Sequence, residues 1–268
     1  MGVSLAASVI ASGHTAFWIS KGRSHQTHAR AKEHGLIDCS SLSEMSKYCE
    51  MIVSICPPAA ADEVADQVID SGFSGVFVDA NAISPMRASS IAERVNSSGA
   101  RYVDGGVIGG PAWTKGETML YLSGPEANRA ASAFCGGLVE TRVIGDQTDQ
   151  ASALKMCYAA LTKGTTAMLC AVIGAAHALG VDEELRSQWD MDELGSAEQR
   201  YMRLCRVTKK AWRFEGEMRE IAQTLKSAGM PSGFHEAAED VYAHLNEFRG
   251  RDSLPAAEEV LEALLKQS

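Results

Sequence analysis

One lysine of the chain stands where its amine could take or give a proton. Lys155 is the only charged residue between Asp149 and Lys163, within the apolar segment ASALKMCYAALTKG (151–164). Burial disfavours an ammonium, so we expect this position to lower the pKa of Lys155, as an acid/base lysine requires. A lysine that snorkels at a helix edge is the alternative interpretation. Lys163 follows on roughly the same helix face, and Thr162 and Lys163 either add to such a site or make surface contacts.

A second candidate site lies at the start of the chain. The stretch MGVSLAASVIASGH contains no Lys, Arg, Asp or Glu and has the apolar pattern of a helix. Gly2 before such a helix is typical of the last glycine of G-x-G-x-x-G, the turn that holds a dinucleotide pyrophosphate at a helix N-terminus. The run TAFWIS (15–20) then follows as the second strand of that unit. A signal peptide or an N-myristoyl group is less consistent with the sequence, because the first basic side chain is Lys21 and position 6 is alanine.

The end of that strand reads SKGRS and supplies four polar side chains. They are Ser20, Lys21, Arg23 and Ser24. A carboxylate at this place binds the ribose 2′-OH of NAD and repels a 2′-phosphate, whereas an arginine accommodates the phosphate. Since SKGRS contains no carboxylate, the sequence favours NADP over NAD. A solvated basic loop is the alternative.

The elements that would position these residues alternate along the first half of the chain. Short runs rich in apolar, β-branched and aromatic residues predict strands buried on both faces. The predicted strands are 15–20, 51–56, 75–80, 101–108, 118–124 and 139–145. The predicted helices are 24–34, 41–48, 59–71, 85–97 (capped by Ser84 before Pro85) and 126–136. This βαβα order predicts a parallel sheet with helices on both sides.

The second half of the chain has a helical pattern throughout. Its first helix, 149–179, is apolar on nearly all sides, which indicates a core or an interface. Further helices are predicted at 182–188, 193–206, 208–228, 233–247 and 255–267. The chain is therefore predicted to be an α/β Rossmann-type dinucleotide-binding domain that lacks its first strand (1–147), followed by an all-helical substrate and dimerisation domain (148–268).

Composition excludes several classes of function. The chain has 268 residues, a net charge of -9 and 46% hydrophobic residues, which argues against binding nucleic acid. The histidines and the seven cysteines have no metal-ligand spacing, so we expect no metal and no disulfide framework. No apolar run approaches a membrane span of about 20 residues. These features predict a cytoplasmic protein that does not bind membranes.

Taken in order, the motifs resemble the β-hydroxyacid dehydrogenase superfamily, which includes 3-hydroxyisobutyrate and 6-phosphogluconate dehydrogenases. The segments that carry the resemblance are MGVSLAASVIASGH, SKGRS, ICPP, VDANAISP, VDGGVIGG, LYLSGP, ASALKMCYAALTKG and FEGEMREIAQTL. The most similar branch has a C-terminal helical domain of unknown function. Members usually begin with a strand and G-x-G-x-x-[GA], so the resemblance implies that roughly ten residues are absent before Met1.

The resemblance implies roles for further residues. It places the catalytic lysine of the family at Lys155. The run Cys56, Pro57 and Pro58 would pass the adenine and its ribose. Asn81 follows a predicted strand at the edge where ligands bind in open α/β sheets, and its amide could reach the nicotinamide ribose. A plain turn residue is the alternative for Asn81.

The substrate positions differ from those of the better-known relatives. A serine before the final glycine pair is replaced by Ile108, an asparagine four residues after the lysine by Ala159, and a later Lys-Asp pair by Gly216-Glu217. The familiar substrates are therefore not expected.

Other residues could bind a substrate instead. The backbone N–H groups of Gly109 and Gly110 could approach a ligand closely. Arg213 could clamp a carboxylate or phosphate, or could face solvent.

The sequence thus predicts an NADP-dependent oxidoreductase that transfers a hydride between nicotinamide and a small hydroxy acid or related carbonyl compound, with Lys155 as general acid/base. The alternatives are a non-catalytic or cofactor-impaired nucleotide-binding protein and an imine reductase. The small, apolar surface of helix 149–179 exceeds what the helical domain can cover, which predicts a homodimer.

Overall fold

The computed structural model describes residues 1–266, and the chain forms two compact units, Met1–Met156 and the part from Cys157 onward. The predicted domain boundary at 147/148 lies just before helix α7 (Gln150–Ala178), whereas the two compact units meet within that helix. Lys155 therefore belongs to the first unit, and Thr162, Lys163 and Arg213 belong to the second.

Seven strands form the sheets of the first unit. They are β1 (Phe17–Ile19), β2 (Ile37–Cys39), β3 (Met51–Ser54), β4 (Val76–Asp79), β5 (Arg101–Gly109), β6 (Thr118–Ser123) and β7 (Glu140–Gly145). Strands β1 and β2 pair in parallel as one sheet, and β3-β4-β5-β6-β7 form a second, in which only β5 and β6 are antiparallel within the described residues. The sheet is thus mixed rather than wholly parallel, because a short loop returns the chain from β5 to β6.

The helices of the first unit occupy the segments between the strands. They are α1 (Gly2–Ala11), α2 (His25–Glu33), α3 (Leu42–Tyr48), α4 (Ala61–Asp70), α5 (Pro85–Ser97) and α6 (Ala127–Ser132), with the start of α7. A 3-10 turn, Pro58–Ala60, precedes α4. The predicted helix 85–97 is confirmed at both ends, with Ser84 as N-cap and Pro85 in the first turn. Strand β2 was not predicted, since Ile37 and Asp38 are exposed and the strand has no continuous apolar run.

Strand alternation divides the buried residues between two cores. Phe77 and Tyr102 face one core, whereas Val76, Val78 and Val103 face the other, because successive side chains of a strand point to opposite faces. Helices α4 and α5 cover the first core, and α1 and α6 contribute to the second. The predicted Rossmann-like α/β arrangement is confirmed.

A stripe of serines docks helix α1. Ser4, Ser8 and Ser12 recur every four residues, and their hydroxyls accept the backbone N–H groups of Ala112, Val139 and Gly136 at 3.0, 3.2 and 2.8 Å. Each hydroxyl also donates to a carbonyl of the preceding turn. Ala112 and Val139 are buried, so their amides would otherwise lack a partner, which explains why the uncharged opening segment contains small polar residues.

The second unit is helical. After α7 it contains α8 (Asp182–Asp192), α9 (Ser196–Ser227), α10 (Gly233–His244), a 3-10 turn (Leu245–Phe248) and α11 (Ala257–Leu265). The two helices predicted at 193–206 and 208–228 are a single helix, because Val207 and Thr208 are buried helical residues with no glycine or proline between the segments. The last residue of the helix predicted at 255–267, residue 267, lies outside the described residues.

Helix α7 is long and apolar enough to cross a membrane by length and composition, contrary to the expectation that no run reaches that length. The core helix of a soluble protein has the same properties, and 44% of the most apolar window of α7 is buried. An exposed apolar stripe nevertheless remains on it, comprising Leu154, Tyr158, Leu161, Met168 and Val172.

Candidate active site

The N-terminus of α1 lies beside the carboxyl end of β3. A Cβ added to Gly2 would stand 3.4 Å from Cγ2 of Ile55, so the first turn of α1 approaches the segment that follows β3. The N-cap residue, Met1, offers no side-chain hydrogen bond to this turn. The first amides of a helix carry partial positive charge and bind anions. Gly2 therefore stands at a place suited to a pyrophosphate.

Asn81 joins the ends of two neighbouring strands. It is 2% exposed, and its Oδ1 accepts the N–H of Cys56 at 2.5 Å while Nδ2 donates to Ser54 Oγ at 2.9 Å. Its own N–H donates to Oδ1 of Asp79 at 3.1 Å. These bonds fix the segment Cys56–Pro58 beside the end of β4. The structure brings these predicted cofactor residues together, and the contact of Asn81 with a ribose remains a prediction.

The predicted ribose-binding tip follows β1. Lys21, Arg23 and Ser24 are exposed and Ser20 is half-buried. The Ser24 hydroxyl caps α2 by accepting the N–H of Thr27.

A carboxylate that sequence reasoning missed also lies at this tip. Oδ1 of Asp38 accepts the N–H of Ser20 at 3.0 Å. Asp38 comes from β2 and stands opposite Trp18, so the strand pairing brings a negative charge to the tip from outside SKGRS. The charge at the tip is therefore mixed.

Two buried carboxyls lie side by side in the sheet, Asp79 at the end of β4 and Asp104 within β5. Asp79 and Asp104 are register partners in the sheet and are 1% and 0% exposed. Burial raises the pKa of Asp79 to about 6 and that of Asp104 to about 7, and the charge of Asp79 contributes to the second shift. Burial, followed by the charges of both carboxyls, holds the pKa of the neighbouring Tyr102 well above its usual range. Sequence reasoning missed the pair, although both strands read Val-Asp at this level.

Because the pKa values of Asp79 and Asp104 are raised, we predict that the stability of the fold depends on pH. An aspartate whose folded pKa exceeds its unfolded value near 3.9 stabilises the fold when protonated, and that contribution is lost as pH rises through the folded pKa. The free energy of unfolding should therefore fall as the pH rises from about 4 to about 7, the range between the unfolded pKa of an aspartate and the raised pKa values of the two carboxyls. Urea denaturation of wild type and Asp104→Asn checks this. The variant should show the shallower fall, and an equal fall in both proteins would contradict the prediction.

Lys155 is held against β5 in the same unit. Its Nζ donates to the carbonyl of Val107 at 2.7 Å. A Cβ on Gly106 would stand 2.6 Å from the Ala151 carbonyl and 3.2 Å from Cβ of Lys155, so only glycine allows α7 to approach the strand this closely. On the other side, a Cβ on Gly105 would stand 3.1 Å from the Asp79 carbonyl. Lys155 thus lies at the sheet edge that also carries Asp79 and the Asn81 cluster.

Gly109 and Gly110, which are predicted to bind substrate, differ in how closely other atoms surround them. Gly109 has a φ of 115°, and a Cβ there would stand 2.1 Å from the Glu117 carbonyl, so this position requires glycine at the β5–β6 return. The Gly110 carbonyl accepts the Thr118 hydroxyl at 2.8 Å, and a Cβ on Gly110 would meet open space. Their contact with a substrate remains a prediction.

The candidate residues of the second unit form their own cluster. Lys163 is ion-paired with Glu217, and its Nζ lies 4.7 Å from the centre of the Phe214 ring. Thr162 donates its hydroxyl to the Tyr158 carbonyl at 3.1 Å. The substituted position of Glu217 is therefore part of a buried ion pair, which the sequence did not reveal because its partner is on another helix.

Arg213 lies on α9 and is exposed. Its guanidinium is 5.4 Å from the centre of the Phe214 ring, and partial desolvation lowers its pKa. Because the residue is exposed, its position agrees with the solvent-facing alternative, and a contact of Arg213 with substrate remains a prediction.

The fold and the residues at the carboxyl ends of the strands define a Rossmann-like NAD-binding domain joined to a helical domain. Residues 1–133 match the family model of the NAD binding domain of 6-phosphogluconate dehydrogenase, and residues 176–245 match DUF1932, a domain of unknown function. The chain therefore combines a domain similar to the NAD binding domain of 6-phosphogluconate dehydrogenase with a C-terminal helical domain that matches DUF1932.

Individual relatives agree with this assignment. An uncharacterized 28.5 kDa protein of Methanothermus fervidus is 30% identical over 62% of this chain and 63% of its own length. The mitochondrial 3-hydroxyisobutyrate dehydrogenase of Drosophila melanogaster is 27% identical over 46% of this chain and 39% of its own length. The chain thus matches less than two thirds of the length of either relative.

Solved structures show the same fold. A 3-hydroxyisobutyrate dehydrogenase of Salmonella typhimurium superposes with a TM-score of 0.70, at 18% identity over 97% of this chain and 95% of that one. An imine reductase variant of Myxococcus stipitatus in complex with NAD+ superposes with a TM-score of 0.54, at 17% identity over 99% and 96% of the two chains.

Proposed function

We propose that the protein is an NADP-dependent oxidoreductase that transfers a hydride between nicotinamide and a small hydroxy acid or a related carbonyl compound. The observation that carries this proposal is the placement of Lys155, whose Nζ is fixed 2.7 Å from the Val107 carbonyl at the sheet edge where Rossmann-like domains bind their ligands. A lysine amine held there is a suitable acid/base group.

The residues at this edge fit a dinucleotide. The first amides of α1 at Gly2 would hold the pyrophosphate, and Ser20, Lys21, Arg23 and Ser24 would surround the 2′-phosphate. The fixed segment Cys56–Pro58 would pass the adenine and its ribose, with Asn81 near the nicotinamide ribose. When bound, the cofactor supplies the hydride acceptor or donor.

The protein's own chemistry in the reaction is proton transfer. In the oxidation direction the neutral Lys155 amine takes the hydroxyl proton as the carbinol C–H bond breaks and the carbonyl forms. In the reduction direction the ammonium returns that proton to the oxygen. In the first unit Gly109 and Gly110 are the proposed groups for the rest of the substrate, and no step requires a metal. In the second unit Thr162, Lys163 and Arg213 remain separate substrate-binding proposals.

The test is turnover and binding with both cofactors. We expect NADPH to bind more tightly than NADH in a fluorescence titration, and absorbance at the nicotinamide band to change with a panel of small hydroxy acids, keto acids and cyclic imines. Arg23→Ser should weaken NADPH binding by about tenfold or more while changing NADH binding little, since only the 2′-phosphate contacts the guanidinium.

Other outcomes of this test would identify the alternatives. Turnover confined to imines would make the protein an imine reductase. Cofactor binding without turnover, or no binding, would make it a non-catalytic or cofactor-impaired protein. Equal loss of NADH and NADPH binding in Arg23→Ser would contradict the 2′-phosphate contact.

We also propose that the exposed apolar stripe of α7 is covered by a second copy in a cytoplasmic homodimer. An exposed stripe of large apolar side chains on a long helix is typical of an interface. All seven cysteines are free thiols, which suits a reducing compartment. A monomeric mass by light scattering would contradict the dimer.

A further inference from the structure

The first turn of α7 is anchored on strand β5 by a buried carboxylate. Oδ2 of Asp104 accepts the N–H of Ser152 at 2.8 Å, and Oδ1 accepts the Ser152 hydroxyl at 2.6 Å. Asp104 is 0% exposed and Ser152 is likewise fully buried. The first amides of a helix lack intrahelical partners, so Asp104 caps α7 from a different element of the fold.

A hydroxyl from the next strand completes the anchor. Ser123 stands opposite Asp104 in the β5–β6 register. Its Oγ donates to Oδ2 of Asp104 at 3.3 Å and accepts the N–H of Ala151 at 3.0 Å. Two successive amides of α7, those of Ala151 and Ser152, are therefore bound by side chains of the sheet. A carboxylate at this helix end is also favoured by the helix dipole.

Helix α7 and strand β5 make a second contact at Lys155. Lys155 lies three residues after Ser152 on α7, and its partner Val107 lies three residues after Asp104 on β5. Next to these contacts, Gly106 of β5 leaves room for the carbonyl of Ala151 on α7. Since the strand is fixed within the sheet, the Asp104 anchor sets both the rotation of α7 about its axis and its position along β5.

We infer that Asp104 is a positioning residue for Lys155: its carboxylate fixes the first turn of α7 so that the lysine amine is held at the carbonyl of Val107. This inference rests on the proposed function, in which that amine transfers the proton. In its ionised form the Asp104 carboxyl is suited to this task, because both of its oxygens then only accept and three donors face them. An asparagine would turn one oxygen into a donor that opposes the donors around it.

A double-mutant cycle tests the inference, with Asp104→Asn, Lys155→Ala and the combined variant measured on the substrate of highest turnover. Asp104→Asn should lower kcat by about 10- to 100-fold, as a displacement near 1 Å does, and leave NADPH binding unchanged. In the Lys155→Ala background it should cause no further loss. Asp190→Asn is the matched control, since Asp190 accepts the Ala197 N–H at the start of α9, and its kcat should equal that of wild type.

A second measurement does not depend on turnover. We expect trinitrobenzenesulfonate to label Lys155 several-fold faster in Asp104→Asn than in wild type, because the amine leaves the Val107 carbonyl. Mass spectrometry measures the labelling rate. If Asp104→Asn does not fold, Ser152→Ala carries both measurements, since it removes only one hydroxyl from the anchor.

The outcomes separate the two proposals. Equal fold losses in both backgrounds, or an unchanged labelling rate, would overturn the positioning role and leave the proposed function in place. Unchanged turnover in Lys155→Ala would overturn the proposed function and the positioning role with it.

Discussion

Replacing Lys155 by alanine should lower turnover by about 10²- to 10⁴-fold, the usual contribution of a general acid/base group. The variant should still bind NADPH, because Lys155 lies on α7 and contacts β5, and is not among the proposed cofactor groups. We expect kcat and kcat/KM to fall together, since proton transfer is a feature of the transition state. Lys155→Arg should be equally inactive, because a guanidinium keeps the charge and does not release its proton near neutral pH.

A matched lysine supplies the control for this prediction. Lys209 also donates its Nζ to a backbone carbonyl, that of Asp252 at 3.2 Å, but at an exposed place in the second unit. Lys209→Ala should retain wild-type turnover. Partial recovery of Lys155→Ala by added small amines would show that the loss comes from the missing amine. Turnover within a factor of two or so of wild type in Lys155→Ala would remove the lysine from the mechanism.

Replacing Gly106 by alanine should damage both stability and turnover. The added Cβ would stand 2.6 Å from the carbonyl oxygen of Ala151, which is a backbone atom and cannot rotate away. Helix α7 would have to move from β5, at a cost of about 1–3 kcal/mol in the free energy of unfolding. The same movement would carry Lys155 from the Val107 carbonyl, and a displacement near 1 Å lowers the rate by about 100-fold.

Urea denaturation and turnover measured on the same preparation check this second prediction. Gly233→Ala is the control for an added methyl group, because a Cβ at Gly233 meets open space; its stability should change by less than about 1 kcal/mol. Gly105→Ala should be intermediate in stability, since its nearest backbone atom is 3.1 Å away. Full stability and full turnover in Gly106→Ala would show that the contact between β5 and α7 does not position the lysine.

Sequence reasoning recovered the parts of the fold that are determined by local pattern. The strands at 51–54, 76–79 and 118–123 lie within predicted runs because each is short and largely apolar. Helix α5 was predicted to the residue by its Ser-Pro start. Local pattern missed β2, because three residues carry too little signal. It also divided α9 into two predicted helices, although no glycine or proline lies at the predicted break.

The candidate site shows the same division. Lys155 could be identified as a candidate from the sequence, because burial of a charged side chain in an apolar helix costs free energy and therefore suggests a function. The groups that hold it could not, because Asp104 and Val107 lie about fifty residues earlier in the chain and meet α7 only after the sheet forms. Asp38 was missed at the tip for a similar reason, since strand pairing brings it to Ser20.

By itself the sequence determined most of the strands and helices, the α/β-then-helical organisation, the family resemblance and the choice of Lys155 as a candidate, because each depends on residues close together in the chain. Only the tertiary structure decided that Asp79 and Asp104 lie side by side, that Gly106 admits α7 to β5, and that Glu217 pairs with Lys163. These contacts depend on strand register and helix packing, which bring together residues that are distant in the chain. No local sequence pattern specifies them.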